Sequence, residues 1–199
     1  MSDRPDDEIH RIVQRVLERY AGFSPQGPAA AAGSSSPEPT PGLAAKTTGR
    51  KVVAIGADHG GFDLKEILKP DLVAQGYEVI DAGTGSKEAV DYPDFAHEVA
   101  RLVSTGKAWR GIMIDGAGIG SCMVANKVPG VRAGMAYDVS SASNGREHND
   151  ANVLTLGAGL IGANLARQIV KVWLSTEFGG GRHESRVNKI TAVEKQYFK

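Results

Sequence analysis

The feature that most constrains this chain is an alternation that begins at Lys51. Short apolar runs, KVVAIG, YEVID, GIMID, VRAGMA and NVLTLG, are interleaved with stretches of helical spacing, among them LKEILKPDLVAQG, FAHEVARLVSTG and LARQIVKVWLST. Strands joined through helices run parallel, and a parallel sheet is covered by helices on both faces. The expected fold class is therefore α/β, a three-layer αβα arrangement around a five-stranded parallel sheet. Sheets of this kind bind ligands beyond the carboxyl ends of their strands. The residues at those ends are Asp58-His59-Gly60-Gly61, Gly83-Thr84-Gly85, Asp115-Gly116-Ala117-Gly118-Ile119-Gly120 and, after the fourth run, Asp138.

Residues 1–50 have a different character. In 1–23 the apolar residues Ile9, Ile12, Val13, Val16, Leu17 and Tyr20 fall on one helical stripe. Pro5 and the acids Asp6, Asp7 and Glu8 suit a helix start, Arg15 and Arg19 its end, and Gly22 a stop. Residues 24–50 hold five of the nine prolines among Ala, Ser and Gly, which is linker composition. The body is then 51–199. A helix this short is marginal alone, so its stripe needs a partner. It can pack on its own domain, pair with a symmetry mate, or dock elsewhere. Helix and linker together resemble the encapsulation peptides that recruit enzymes into bacterial microcompartments, which implies a shell protein as partner. Four acids within the first eight residues disfavour a mitochondrial presequence.

Other function classes are excluded by charge and patterning. The 23 basic and 23 acidic residues balance, with no basic cluster, so nucleic acid is not an expected partner. No apolar run is long enough to span a membrane, and the charged N-terminus does not suit a secretory signal. The single Cys122 cannot form an internal disulfide and suits a reducing cytoplasm; its simplest role is that of a small core residue. The loop GAGIG is a cradle for phosphate or an oxyanion, or simply a tight turn. It departs from the dinucleotide fingerprint at Ser121, although Asp138 stands where a ribose-binding acid can sit. His10, His59, His97, His148 and His183 show no metal-site spacing. His97 lies in a helical pattern, whereas His59 and His148 lie in polar stretches near strand ends.

The segments GADHGGFDLKEIL, YEVIDAGT, VDYPDFA, GIGSCMVANKVPGVRAG, REHNDANVLTLGA and GGRHESRVNKI strongly resemble the ribose-5-phosphate isomerase B family, which also includes galactose-6-phosphate isomerase subunits. The match runs from about Lys51 to the C-terminus. The resemblance implies a Rossmann-like sheet, a homodimer or tetramer with active sites shared between subunits, and interconversion of aldose and ketose phosphates without metal or organic cofactor. It also implies that Asp58 and His59 contact the sugar and its phosphate end, that His148 assists ring opening with Asn149 beside it, that Arg182 and Arg186 hold the phosphate, and that Tyr92 stands at the pocket edge. The two arginines, four apart, share a face if that segment is helical.

Isomerisation needs a base that moves a proton between adjacent carbons through an enediolate. Backbone N–H groups of Gly116, Gly118, Ile119 and Gly120 are placed to stabilise that anion, and histidine, the residue type of His148, is suited to the proton shuttling that ring opening needs. One departure falls at the centre. Many family members have Cys where this chain has Asp115 and Thr where it has Ala117; another branch uses Glu at the position of Ser121. A carboxylate is ionised at neutral pH and can serve as the base, so Asp115 is the expected one. The substitution equally fits a catalytically silent sugar-phosphate-binding or scaffolding homologue. Asn144 and Gly145 interrupt the helical pattern before His148 and are expected to reshape the pocket wall. The expected location is cytoplasmic, within a microcompartment lumen if the N-terminal helix is a tag.

Overall fold

The computed structural model describes residues 51–198, so the proposed helix at 1–23 and linker at 24–50 lie outside the described residues. Five strands form: β1 Val52–Ala57, β2 Glu78–Asp81, β3 Arg110–Asp115, β4 Ala133–Met135 and β5 Val153–Gly157. Every pairing is parallel and the order is β2-β1-β3-β5-β4. Six α-helices accompany them: α1 Phe62–Ala74, α2 Tyr92–Ser104, α3 Ile119–Ala125, α4 Val139–Glu147, α5 Ala163–Ser175 and α6 Glu184–Tyr197, with a short 3-10 turn at Gly181–His183. The expected three-layer αβα fold is what the chain adopts. No helix among the described residues is long and apolar enough to cross a membrane.

Two cores follow from the alternation of side chains along each strand. Val53, Ile55 and Ala57 of β1, Ile112 and Ile114 of β3, and Leu154 and Leu156 of β5 meet Leu64, Leu68 and Leu72 of α1 and Ile169, Val170 and Trp173 of α5. On the other face Ala54, Met113 and Val153 meet Ala96, Val99 and Ala100 of α2. That second face is lined by small residues because α2 lies close. A Cβ at Gly56 would fall 2.6 Å, and one at Gly111 2.7 Å, from methyl groups of Val99.

Two buried cations tie the layers at their margins. Arg110 donates to the carbonyls of Trp173 (2.7 Å), Leu174 (3.0 Å) and Thr176 (3.2 Å), closing the C-terminal end of α5. Burial pulls its guanidinium down to about 10, with nearby Arg146 acting in the same direction. On α1 the fully buried Lys65 donates to both Asp81 oxygens, at 2.9 and 2.7 Å, and so fastens α1 to the end of β2.

The chain leaves β1 towards β2 on one side and reaches β3 on the other. The carboxyl ends of β1 and β3 therefore form the topological switch point of the sheet, where a crevice opens.

Candidate active site

At that crevice the first residue after β1 is Asp58. Its N–H donates to Ile114 O at 3.2 Å, tying the strand ends together, and its Oδ1 accepts from Gly61 N at 3.0 Å ahead of α1. The exposed His59 ring is pinned through Nδ1, which lies 3.1 Å from Val90 O and 3.2 Å from Val90 N. Tyr92 opens α2, and its ring lies against the first turn of α3. A Cβ at Gly120 would come within 2.5 Å of Tyr92 Cζ, so any larger residue there would push the ring aside. The result is an open cleft of about 210 Å³ lined by Asp58, Tyr92, Asp115, Gly116, Ala117 and Gly120. His59 stands next to it in sequence but does not line it.

Asp115 ends β3 and is only 4% exposed. Its Oδ1 accepts from the N–H groups of Ala117 (2.8 Å) and Gly118, and its Oδ2 from the N–H (3.2 Å) and hydroxyl of Ser121. The turn that permits this passes through Gly118 at φ 78°, a left-handed conformation suited to glycine. The expectation that the N–H groups of Gly116 to Gly120 all face a ligand is thus only partly met, because Ala117 and Gly118 are engaged by Asp115. The N–H groups of Gly116, Ile119 and Gly120 have no acceptor among the described residues and are left for a bound anion. The half-buried Cys122 points away towards Ala133 O, 3.5 Å from Sγ, and burial pushes its thiol up.

The remaining expected residues gather elsewhere. His148 closes α4, and its Nδ1 lies 2.9 Å from the Asn144 amide nitrogen one turn earlier. α4 runs unbroken through Asn144 and Gly145, so the departure from smooth helical pattern supplies a partner for His148 rather than a kink. The His148 ring stacks on His183 with centroids 4.1 Å apart and planes within 7°. Arg182 Nε lies 3.3 Å from His183 Nε2. Desolvation, and then the positive charge of His148, Arg182 and Arg186, holds His183 below the ordinary histidine range. The arginines do not share one α-helical run: Arg182 sits in the 3-10 turn and Arg186 in the first turn of α6. The exposed Asn149 side chain has no hydrogen-bond partner among the described residues. It is carried on a turn fixed by Arg146, which donates to Asp150 Oδ1 at 2.8 Å and Ala151 O at 2.6 Å. His148 lines its own cleft of about 370 Å³ with Ser140, Ser143, Asn144 and Glu147, and this cleft shares no residue with that of Asp115.

Two further residues join the site by geometry. Ser121 reaches Asp115 across six positions, and His183 bridges His148 to Arg182, neither of which has a periodic signal in sequence. Asp138 is accounted for in the opposite sense: with Ser141 it forms a reciprocal cap on α4, so it is not free as a ribose-binding acid. Among the described residues no three His, Cys, Asp or Glu side chains are grouped to hold a metal ion.

Fold and cleft place the chain among α/β enzymes that bind small substrates at a switch point. A sequence profile described as Ribose/Galactose Isomerase matches residues 53–190. The chain belongs to that family, within it to the ribose-5-phosphate isomerase B group, and is thus an aldose–ketose sugar-phosphate isomerase, an intramolecular oxidoreductase. It is 46% identical to ribose-5-phosphate isomerase B of Escherichia coli over 73% of this chain and 98% of that protein. It is 43% identical to D-erythrulose-4-phosphate isomerase of Pectobacterium atrosepticum over 72% of this chain and 95% of that one. The solved ribose-5-phosphate isomerase B of Clostridium thermocellum superposes with a TM-score of 0.72 at 51% identity, covering 73% of this chain and 99% of that structure.

Proposed function

We propose that the chain interconverts ribose 5-phosphate and ribulose 5-phosphate through an enediolate, with Asp115 as the proton-transfer base. From aldose to ketose, the carboxylate removes the proton from C2, the C2–H electron pair becomes the C1–C2 double bond, and the C1 carbonyl oxygen takes the negative charge. Asp115, whose acquired proton exchanges with solvent while the carboxyl holds it, then delivers a proton to C1, and the C2 hydroxyl passes its proton to the C1 oxygen as the C2 oxygen becomes the carbonyl. The free N–H groups of Gly116, Ile119 and Gly120 favour the anion. His148 opens the sugar ring, giving a proton to the ring oxygen as one leaves the anomeric hydroxyl. Asp58, His59, Tyr92 and Asn149 position the sugar, and Arg182 and Arg186 bind its phosphate. No step calls for a metal or an organic cofactor.

The observation that carries the proposal is the division of the site between two clefts. The Asp115 cleft holds two carboxylates and, among the described residues, is lined by no Lys, Arg or His, so these residues of one chain repel a phosphate dianion. The basic groups stand with His148. A second copy that brings its His148 cluster to the Asp115 cleft completes a site with base, acid and phosphate anchor, which is the shared-site homodimer or tetramer. Exposed Ile190, Val193 and Tyr197 on α6 offer apolar surface for such a partner.

A second function is favoured by the four donors that converge on Asp115. A carboxylate that caps α3 and does nothing else would leave a sugar-phosphate-binding protein without turnover. Four-, five- and six-carbon aldose phosphates assayed for ketose formation decide both matters. Preferred turnover of ribose 5-phosphate supports the proposal, preference for a four-carbon sugar reassigns the substrate, and binding without ketose from any of them favours the silent protein. From the sequence alone we further propose that residues 1–23 dock the enzyme on a microcompartment shell protein.

A further inference from the structure

Asp115 is held unequally at its two oxygens. On Oδ1 both donors are backbone N–H groups whose directions are set by the turn through Gly118. On Oδ2 one donor is the Ser121 N–H, at a long 3.2 Å, and the other is the Ser121 hydroxyl. Among these four only the hydroxyl can turn without moving the backbone, by rotation about its C–O bond. Ser121 is fully buried and does not line the cleft, and its hydroxyl has no other side-chain partner on α3 or on the strand ends around it. The charged or titratable groups facing the cleft are Asp58 and Tyr92, and neither hydrogen-bonds to Asp115.

We propose that Ser121 is a positioning residue for Asp115, making Oδ2 the oxygen that exchanges a proton with the sugar. While Asp115 is ionised, the Ser121 O–H donates to Oδ2 and fixes the plane of the carboxylate, with Oδ1 anchored by the turn. When substrate C2–H approaches, the hydroxyl turns aside and releases a lone pair. The C2–H bond breaks, an O–H bond forms at Oδ2, and the electron pair left on C2 passes into the enediolate. Delivery of a proton from Oδ2 to C1, after exchange with solvent, restores the carboxylate, and the Ser121 hydroxyl turns back to it. Oδ1 has no movable donor and keeps its two N–H bonds throughout. This inference rests on Asp115 being the base, and it adds the group that aims it.

Substitution at Ser121 tests the role. Ser121→Ala removes the hydroxyl and leaves the Ser121 backbone donor, so Asp115 stays in place but loses its aim. Misplacement of a reacting group costs rate rather than binding, so kcat should fall by roughly 10- to 100-fold while KM stays within about threefold. With proton abstraction slowed, the isotope effect with C2-deuterated ribose 5-phosphate should increase. Ser121→Thr keeps the hydroxyl and should restore kcat to within about fivefold of wild type. Because Ser121 is fully buried and threonine adds a methyl group there, Ser121→Cys serves as the size-matched control. A thiol is a weak donor, so this variant should be nearly as slow as Ser121→Ala.

Turnover of Ser121→Ala within about twofold of wild type, or Ser121→Cys fully active, overturns the inference. So does a loss confined to KM. If these results appear while Asp115→Asn is inactive, only the role of Ser121 fails. If Asp115→Asn itself turns over normally, the assignment of the base fails and this inference with it.

Discussion

Asp115→Asn separates two roles that the carboxylate combines. As a cap, Asp115 accepts from two donors at each oxygen. An amide retains one acceptor oxygen and presents N–H groups on its other side. With the amide oxygen facing Ala117 and Gly118, the Ser121 hydroxyl can rotate to accept from the new NH2, but the Ser121 backbone N–H then faces a donor. One buried donor left unpaired costs about 1–3 kcal/mol, and loss of negative charge at the first turn of α3 removes about 0.5 kcal/mol more. The variant should therefore fold but be less stable by about 1.5–3.5 kcal/mol, lowering Tm by roughly 5–10 °C for a body of this size. As a base, its removal should lower kcat by at least ~10²-fold. Urea denaturation and initial rates at saturating ribose 5-phosphate measure the two effects separately. A variant that shows the stability loss yet keeps kcat within about threefold of wild type would refute the assignment, because Asp115 would then be a helix cap alone.

A shared site makes Asp115→Asn and Arg186→Ala complementary. Each is nearly inactive alone, but random mixing of subunits should restore about one quarter of wild-type activity, because half of the dimers carry one intact site. No recovery after verified subunit exchange would place both groups in one chain's site. Asp81→Ala should destabilise the body by about 2–3 kcal/mol in urea, since it leaves the buried Lys65 ammonium with Glu66 as its remaining partner. Lys65→Met should cost less. Burial tends to raise the Asp81 carboxyl, but hydrogen bonds from Lys65 and Lys69 hold it below its ordinary value of 3.8. The stability it contributes is thus present above that value and lost as pH falls through the lower folded value, so Asp81→Ala should flatten the acid limb of the stability profile. An unchanged limb would show that the ion pairs contribute nothing. Residues 1–23 fused to a reporter should direct it to microcompartment shells, and Ile12→Glu should abolish this; loss of body stability when 1–23 is deleted would instead make the segment structural.

The sheet was legible in the sequence because its central strands are buried on both faces. β3 is buried along its whole length, and GIMID has no polar residue until the one that lines the cleft. The glycine loop after it and Asp58 after β1 were equally visible. What brings them together is the adjacency of β1 and β3, a tertiary pairing that no local pattern records. The cap formed by Asp138 and Ser141 leaves a three-residue spacing in the sequence, but the position of Asp138 at a strand end also fits a ribose-binding acid. The bond from Ser121 to Asp115 spans a left-handed turn and has no period to betray it. Arg182 and Arg186 have helical spacing, yet the glycines at 179–181 delay the helix until Glu184. Placement of His148 away from the Asp115 cleft follows from the wiring of the fold, since His148 closes α4 ahead of the amino end of β5 whereas Asp115 is the carboxyl end of β3.

Proton transfer at C2 is the central chemical claim, and solvent isotope incorporation tests it most directly. Ribose 5-phosphate incubated with the full chain in deuterated water, then analysed by NMR, should lose its C2 proton signal through exchange and yield ribulose 5-phosphate carrying deuterium at C1. Asp115→Asn should show neither change at matched occupancy of the sugar phosphate. Binding of ribose 5-phosphate by the wild-type chain with no deuterium at either carbon, and no ketose, would contradict the account and leave a sugar-phosphate-binding protein whose Asp115 serves only to cap α3.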